Sequence, residues 1–167
     1  MEINTIKTLK DARVLHGETV LDVGSRDCTL AKQFVENGFS VTAIDPHDFS
    51  QECDVPGITL YQTTFENFED NRKFDIVVAR LVSHVLKKKP SENILHLMGY
   101  AKENGILYFT VFGPEDVWYE GERKEEIDHV IQQAGHTVLA FHELRDTGKT
   151  YAGEEKDWHI LVYIIQK

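Results

Sequence analysis

Thr19-Val20-Leu21-Asp22-Val23-Gly24-Ser25-Arg26-Asp27-Cys28-Thr29-Leu30-Ala31 decides how this chain is read. An apolar run stops at Asp22, a tight turn with Gly24 follows, and helical periodicity begins near Thr29. Strand, turn and helix opening in that order form the first half of a βαβ unit. The second half follows in step: Phe39-Ser40-Val41-Thr42-Ala43-Ile44 reads as a strand ending at Asp45. A carboxylate at that strand tip stands beside the first turn. In doubly wound sheets this position faces the nucleotide crevice, and an acid there accepts both ribose hydroxyls.

Working outward, residues 3–15 read as a short helix and 19–23 as the first strand. Residues 28–37 read as a helix stopped by Gly38, and 40–45 as the second strand. Pro56-Gly57 is a turn before a third strand at 58–62, and a single helical turn is the most that 65–72 can hold. Phe74-Asp75-Ile76-Val77-Val78-Ala79 is nearly continuously apolar, as a parallel strand covered on both faces should be. Ile94, Leu97, Met98 and Ala101 make a helix stripe that Gly105 closes, before a fifth strand at 106–112. Ile127, Val130, Ile131 and Ala134 repeat the spacing up to Gly135. Strands at 138–144 and 160–165 finish the pattern, joined by a polar segment, 145–158, that reads as a loop. Two strands so joined are antiparallel neighbours. The class is α/β, three layers, doubly wound.

Leu21-Asp22-Val23-Gly24 together with Ala43-Ile44-Asp45 resembles the class I methyltransferases that use S-adenosyl-L-methionine. The resemblance covers nearly the whole chain and implies one domain, 1–167, with a Rossmann-like sheet of seven strands, order 3-2-1-4-5-7-6, the last antiparallel. The family's first turn is an acid, x, Gly, x, Gly, x, Gly. Asp22 and Gly24 match it, whereas Arg26 and Cys28 stand at the other two glycines. Carried over position by position, the resemblance places Asp22, Gly24, Ser25, Arg26, Asp45, Pro46, Thr64, Phe65, Ala79 and Arg80 against the cofactor. Thr64 stands where many members have an acid for the adenine amino group, and Phe65 would offer its backbone N–H to an adenine nitrogen. Gly153 to His159, ending in Trp158-His159, resembles a stretch of small bacterial methyltransferases of the tellurite-resistance type.

Each of these residues has a plainer role beside the functional one. Asp45 could cap the turn before Pro46, Phe65 could pack the core, and Arg80 could pair with Asp22, Asp75 or Glu66 rather than bind a carboxylate. His84 is the candidate general base; its plainer role is a packed histidine on a turn. Methyl transfer is an in-line displacement on a sulfonium and runs largely on positioning, so no dedicated base is required. Trp158 would pack the last strand against the last helix, and Trp118-Tyr119, after Gly113-Pro114, would lid the crevice.

Composition bounds the function. A net charge of -10 argues against a nucleic-acid or membrane-surface partner, and Lys87-Lys88-Lys89 is the only compact basic run. The two cysteines, Cys28 and Cys53, suggest no framework and a reduced, cytoplasmic chain. No spacing of Cys and His suggests a metal. A nicotinamide-dependent oxidoreductase would need Gly-x-Gly-x-x-Gly, which Gly24 to Thr29 lacks. The expected activity is methyl transfer to a small-molecule acceptor. The alternative is a methyltransferase fold that has lost cofactor binding and serves as a binding or regulatory module.

Overall fold

The computed structural model describes residues 4–116, 121–150 and 153–167. Helix α1 (Thr5–Asp11) is capped by Asn4, whose side chain accepts the Lys7 N–H at 2.9 Å. Then come β1 (Thr19–Val23), α2 (Thr29–Glu36), β2 (Ser40–Asp45), β3 (Ile58–Gln62), one 3₁₀ turn (Phe65–Asn67) and β4 (Phe74–Ala79). Helix α3 (Pro90–Met98), β5 (Ala101–Phe112), α4 (Lys124–Gln133), β6 (Thr137–Lys149) and β7 (Glu155–Gln166) complete the order. One seven-stranded sheet runs β3-β2-β1-β4-β5-β7-β6, as the resemblance implied. The first five strands are parallel, and β7 is antiparallel to both β5 and β6.

The pleat divides the apolar residues between two cores. Leu21, Val23, Val77 and Leu107 meet Ile94, Leu97 and Met98 of α3 and Ile127 and Ile131 of α4 on one face. On the other, Val20, Val41, Ile76 and Val78 meet Leu9 of α1 and Leu30, Ala31 and Phe34 of α2. Ile94, Met98, Ile127 and Ile131 are all at most 1% exposed, as their helical spacing predicts.

Three boundaries depart from the sequence reading. Helix α1 is shorter than 3–15, because the chain turns after Asp11 through Arg13, whose φ is 58°. Helix α3 stops at Met98, not at Gly105: Gly99 caps it, and Ala101 enters β5 opposite Phe74. A register shift between Phe74 and Ile76, with Asn104 at φ 62°, absorbs the extra residues, so Gly105 lies inside the strand. Segment 145–158 is mostly strand. Pairing runs from Thr137↔Gln166 to Lys149↔Glu155, and its polar outer half is held by cross-strand bonds such as Thr147 to Asp157 at 2.7 Å. Trp158 does not face α4. It stacks on Phe112 at 6.0 Å, on the α1–α2 face of the sheet.

Candidate functional site

The turn after β1 takes a left-handed backbone at three alternate residues: φ is 74° at Gly24, 48° at Arg26 and 56° at Cys28. These are the three positions where the methyltransferase pattern carries glycine. Glycine enters this left-handed backbone freely, whereas Arg26 and Cys28 pay a conformational penalty for it. The Gly24 and Ser25 N–H groups both donate to the Ile44 carbonyl, at 2.8 and 3.1 Å. The Arg26 N–H donates to Asp45 Oδ2 at 3.0 Å, while the Arg26 side chain is exposed. Cys28 caps α2 and is bonded to Cys53, in the segment after β2, with the Cα atoms 5.3 Å apart. The expectation of two reduced cysteines is corrected here. They are 25 residues apart in sequence, but parallel β1 and β2 deliver both following loops to the same sheet edge.

A cavity of about 530 Å³ opens at the carboxyl ends of β1, β2 and β3. Gly24, Arg26, Asp45, Pro46, Thr64 and Phe65 of the expected set line it, with His84 at its rim. Asp45 is only 4% exposed, and its Oδ1 accepts the His47 N–H at 2.9 Å. One carboxylate thus ties together the turns after β1 and β2. The Phe65 ring is buried 4.4 Å from the His96 ring and 6.0 Å from Tyr100, so its side chain serves the core. His47, Phe49, Glu66, Val82 and Lys87 also line this cavity and were not anticipated. Glu66 accepts the Lys87 N–H at 3.0 Å, which fastens the segment after β4 to the turn after β3. An acid two residues beyond Thr64 was the available signal.

A smaller cavity of about 280 Å³ adjoins it, lined by Asp22, Ser25, Asp27 and Arg80 among others. Gly24, Arg26, Leu81 and Val82 line both and form the partition between them. The partition is tight: a Cβ on Gly24 would lie 2.1 Å from Val82 Cγ1. Asp22 is 2% exposed, and burial pushes its carboxyl up to about 7, with Arg80 pulling it back and Asp45 adding to the rise. Asp22 Oδ2 and Ser25 Oγ are buried with no hydrogen-bond partner among the described residues. Such orphaned acceptors suit a ligand that brings N–H or O–H donors, and preferably a positive charge. These acceptors fit the ammonium end of S-adenosyl-L-methionine, as the Asp45 cavity fits a ribose. Of Arg80's plainer partners, Asp75 is committed at the opposite sheet edge to Lys102 and to the Glu18 and Thr19 N–H groups. Ala79 is fully buried in the core and lines neither cavity.

His84 is exposed at the rim, its ring 5.2 Å from that of Phe112. Desolvation and then the Lys156 charge lower its pKa, against a smaller pull from Asp116, which favours the neutral imidazole. Lys156 and Asp116 form a buried ion pair at 2.7 Å, with the Lys156 ammonium 4.1 Å from the Trp158 ring and 4.4 Å from Phe112. His159 supports the same turn after β5, accepting the Glu115 N–H at Nδ1 and meeting Glu143 at 2.8 Å through Nε2. The expected lid residues Trp118 and Tyr119 lie outside the described residues.

Residues 7–153 match a family model described as "Methyltransferase domain". A ubiquinone biosynthesis O-methyltransferase of Rickettsia typhi is 32% identical over 100 residues, 54% of this chain and 39% of that protein. The match therefore spans about two-fifths of that relative's length. TehB from Haemophilus influenzae shares the fold at a TM-score of 0.76 and 11% identity, covering 100% of this chain and 63% of TehB. A Burkholderia thailandensis 1,6-didemethyltoxoflavin-N1-methyltransferase, solved with that compound and S-adenosylhomocysteine, gives a TM-score of 0.66 at 15% identity, over 96% of this chain and 75% of that one.

Proposed function

This chain belongs to the methyltransferase domain family, and from that premise we propose that residues 1–167 form one domain that binds S-adenosyl-L-methionine and methylates a small molecule. The observation that carries the reading is Asp45. It is a nearly buried carboxylate at the tip of β2, held by N–H groups from two loops, with a cavity in front of it. A pre-oriented acid of this kind is suited to a pair of vicinal hydroxyls. Asp22 and Ser25 supply acceptors for the ammonium end, and Arg80 a cation for a carboxylate. When bound, the cofactor supplies an activated methyl group. The residues of this chain orient it and shield it from water.

We propose an oxygen nucleophile on the acceptor, in keeping with the O-methyltransferases among the relatives. His84, exposed at the mouth and biased toward its neutral form, is the group placed to take the acceptor's proton. Trp158-His159 is read as a brace for the turn after β5 rather than as a catalytic pair, which leaves the tellurite-type resemblance to the fold alone. Among the described residues no helix is long and apolar enough to cross a membrane. The cytoplasm is the proposed compartment, and a disulfide there is expected to be reversible.

Calorimetry with S-adenosylhomocysteine tests the reading. The parent should bind, and Asp45→Ala should remain folded and lose about 1.5–3 kcal/mol of affinity, the scale of charge-assisted hydrogen bonds to two hydroxyls. A folded Asp45→Ala protein of undiminished affinity removes Asp45 from the site.

A further inference from the structure

We propose that the Cys28–Cys53 pair is a reversible thiol–disulfide exchange site that sets the affinity of the neighbouring cavity; the inference rests on the cofactor reading above. Its placement carries the argument. Cys28 ends the turn of three left-handed residues, and Cys53 belongs to the segment that supplies the opposite cavity wall. The Cys53 N–H donates to the Phe49 carbonyl at 2.9 Å, and Phe49 lines the cavity. Cys53 Sγ also lies 3.4 Å from the Arg26 carbonyl oxygen. The bridge thus fixes both walls at once, a few residues from where Asp45 ties the same two loops together.

Glycine would occupy the left-handed positions without cost, but Arg26 and Cys28 do not. The covalent tie holds them there. Breaking it frees the turn to relax toward conformations in which the Arg26 N–H leaves Asp45 and the cavity loses its shape. In the exchange, a dithiol, either a small molecule or a dithiol protein, attacks the bridge. The protein S–S bond breaks, Cys28 and Cys53 each gain a proton, and the reductant gives up two electrons and two protons to form its own disulfide. Cys28 and Cys53 are 0% and 4% exposed, so the attack requires the 46–57 segment to open. A ligand that binds the bridged form more tightly must then shift the dithiol–disulfide equilibrium toward the bridge by the same factor.

The test uses the parent protein in both redox states, with free thiols counted by a chromogenic thiol reagent and folding checked by circular dichroism. S-adenosylhomocysteine affinity is measured calorimetrically in each state. The reduced fraction at equilibrium in a dithiothreitol redox buffer is measured with and without S-adenosylhomocysteine. We expect the oxidised protein to bind about fivefold or more tightly than the folded, reduced protein. Saturating S-adenosylhomocysteine should shift that equilibrium toward the bridged form by the same factor. Cys53→Ser should bind like the reduced parent and ignore dithiothreitol. Equal affinity in both states, or two thiols that mild oxidation fails to join, overturns this inference and leaves the cofactor reading standing. No binding in either state overturns both.

Discussion

Arg26 shows how far a residue can depart from a motif while the backbone keeps to it. The sequence marks it as a misfit at a glycine position, and its φ of 48° shows that the main chain behaves as the glycine would. Replacing it by glycine trades a left-handed penalty of about 1–2 kcal/mol against the larger chain entropy of glycine, so Arg26→Gly should gain up to about 1 kcal/mol in urea unfolding. Its affinity for S-adenosylhomocysteine should be equal or higher. Asp22 makes a prediction about pH. Between 3.8 and about 7 the folded protein retains a proton on this carboxyl that the unfolded chain has released. Stability from this group therefore falls as pH rises through that window and levels off above it. Asp22→Asn should flatten that part of the profile, so the stability difference between variant and parent should change between pH 4 and 7 and be constant above. The same proton leaves when a cation pairs with the carboxylate, so binding should tighten as pH climbs toward 7. The sequence showed Asp22, Gly24 and Asp45 as a set. It did not show His47 or Phe49, which reach the cavity through a loop with no periodicity to read.

Elements were legible where one physical signal dominated. Strands β1 to β4 run over 19–23, 40–45, 58–62 and 74–79, matching the sequence reading: β1, β2 and β4 are buried apolar runs between turn residues, while the partly exposed edge strand β3 is marked by the Pro56-Gly57 turn before it. The hairpin was underread for the opposite reason. Its outer half is polar, and its strand conformation comes from cross-strand pairing that composition does not reveal. Ala101 continued the stripe of α3 by spacing, yet the sheet claimed it as a partner for Phe74. The helix-face assignments can be checked through Ile131, which is 1% exposed against the sheet. Ile131→Ala should cost roughly 2–5 kcal/mol. A midpoint equal to the parent's would mean that α4 does not pack as described.

At the scale of the whole molecule, the strand order was legible only through family resemblance. Periodicity fixes which residues face a layer, not which strand neighbours which. The disulfide was illegible for the same reason, since its two cysteines become neighbours only once β1 and β2 are side by side. The bridge spans a sequence separation of 25 residues, for which chain entropy gives a stabilisation of about 3.5 kcal/mol. Cys53→Ser, compared with the oxidised parent in urea, should lose stability on that scale, and the reduced parent should lose the same amount.

The position of β7 bears on how the protein is made. It lies between β5 and β6, although both precede it in the chain. While the polypeptide emerges from the ribosome, the apolar run Ile106 to Phe112 offers an open, pairing-competent edge that stays unsatisfied until residues 155–166 have been synthesised. Strand β6 pairs with β7 and not with β5, so it waits for the same residues. Such an edge is a template for association with other nascent chains. Its closure depends on contacts distant in sequence, which form slowly. Yield in a cell should therefore respond to translation speed and to chaperones that shield strand edges.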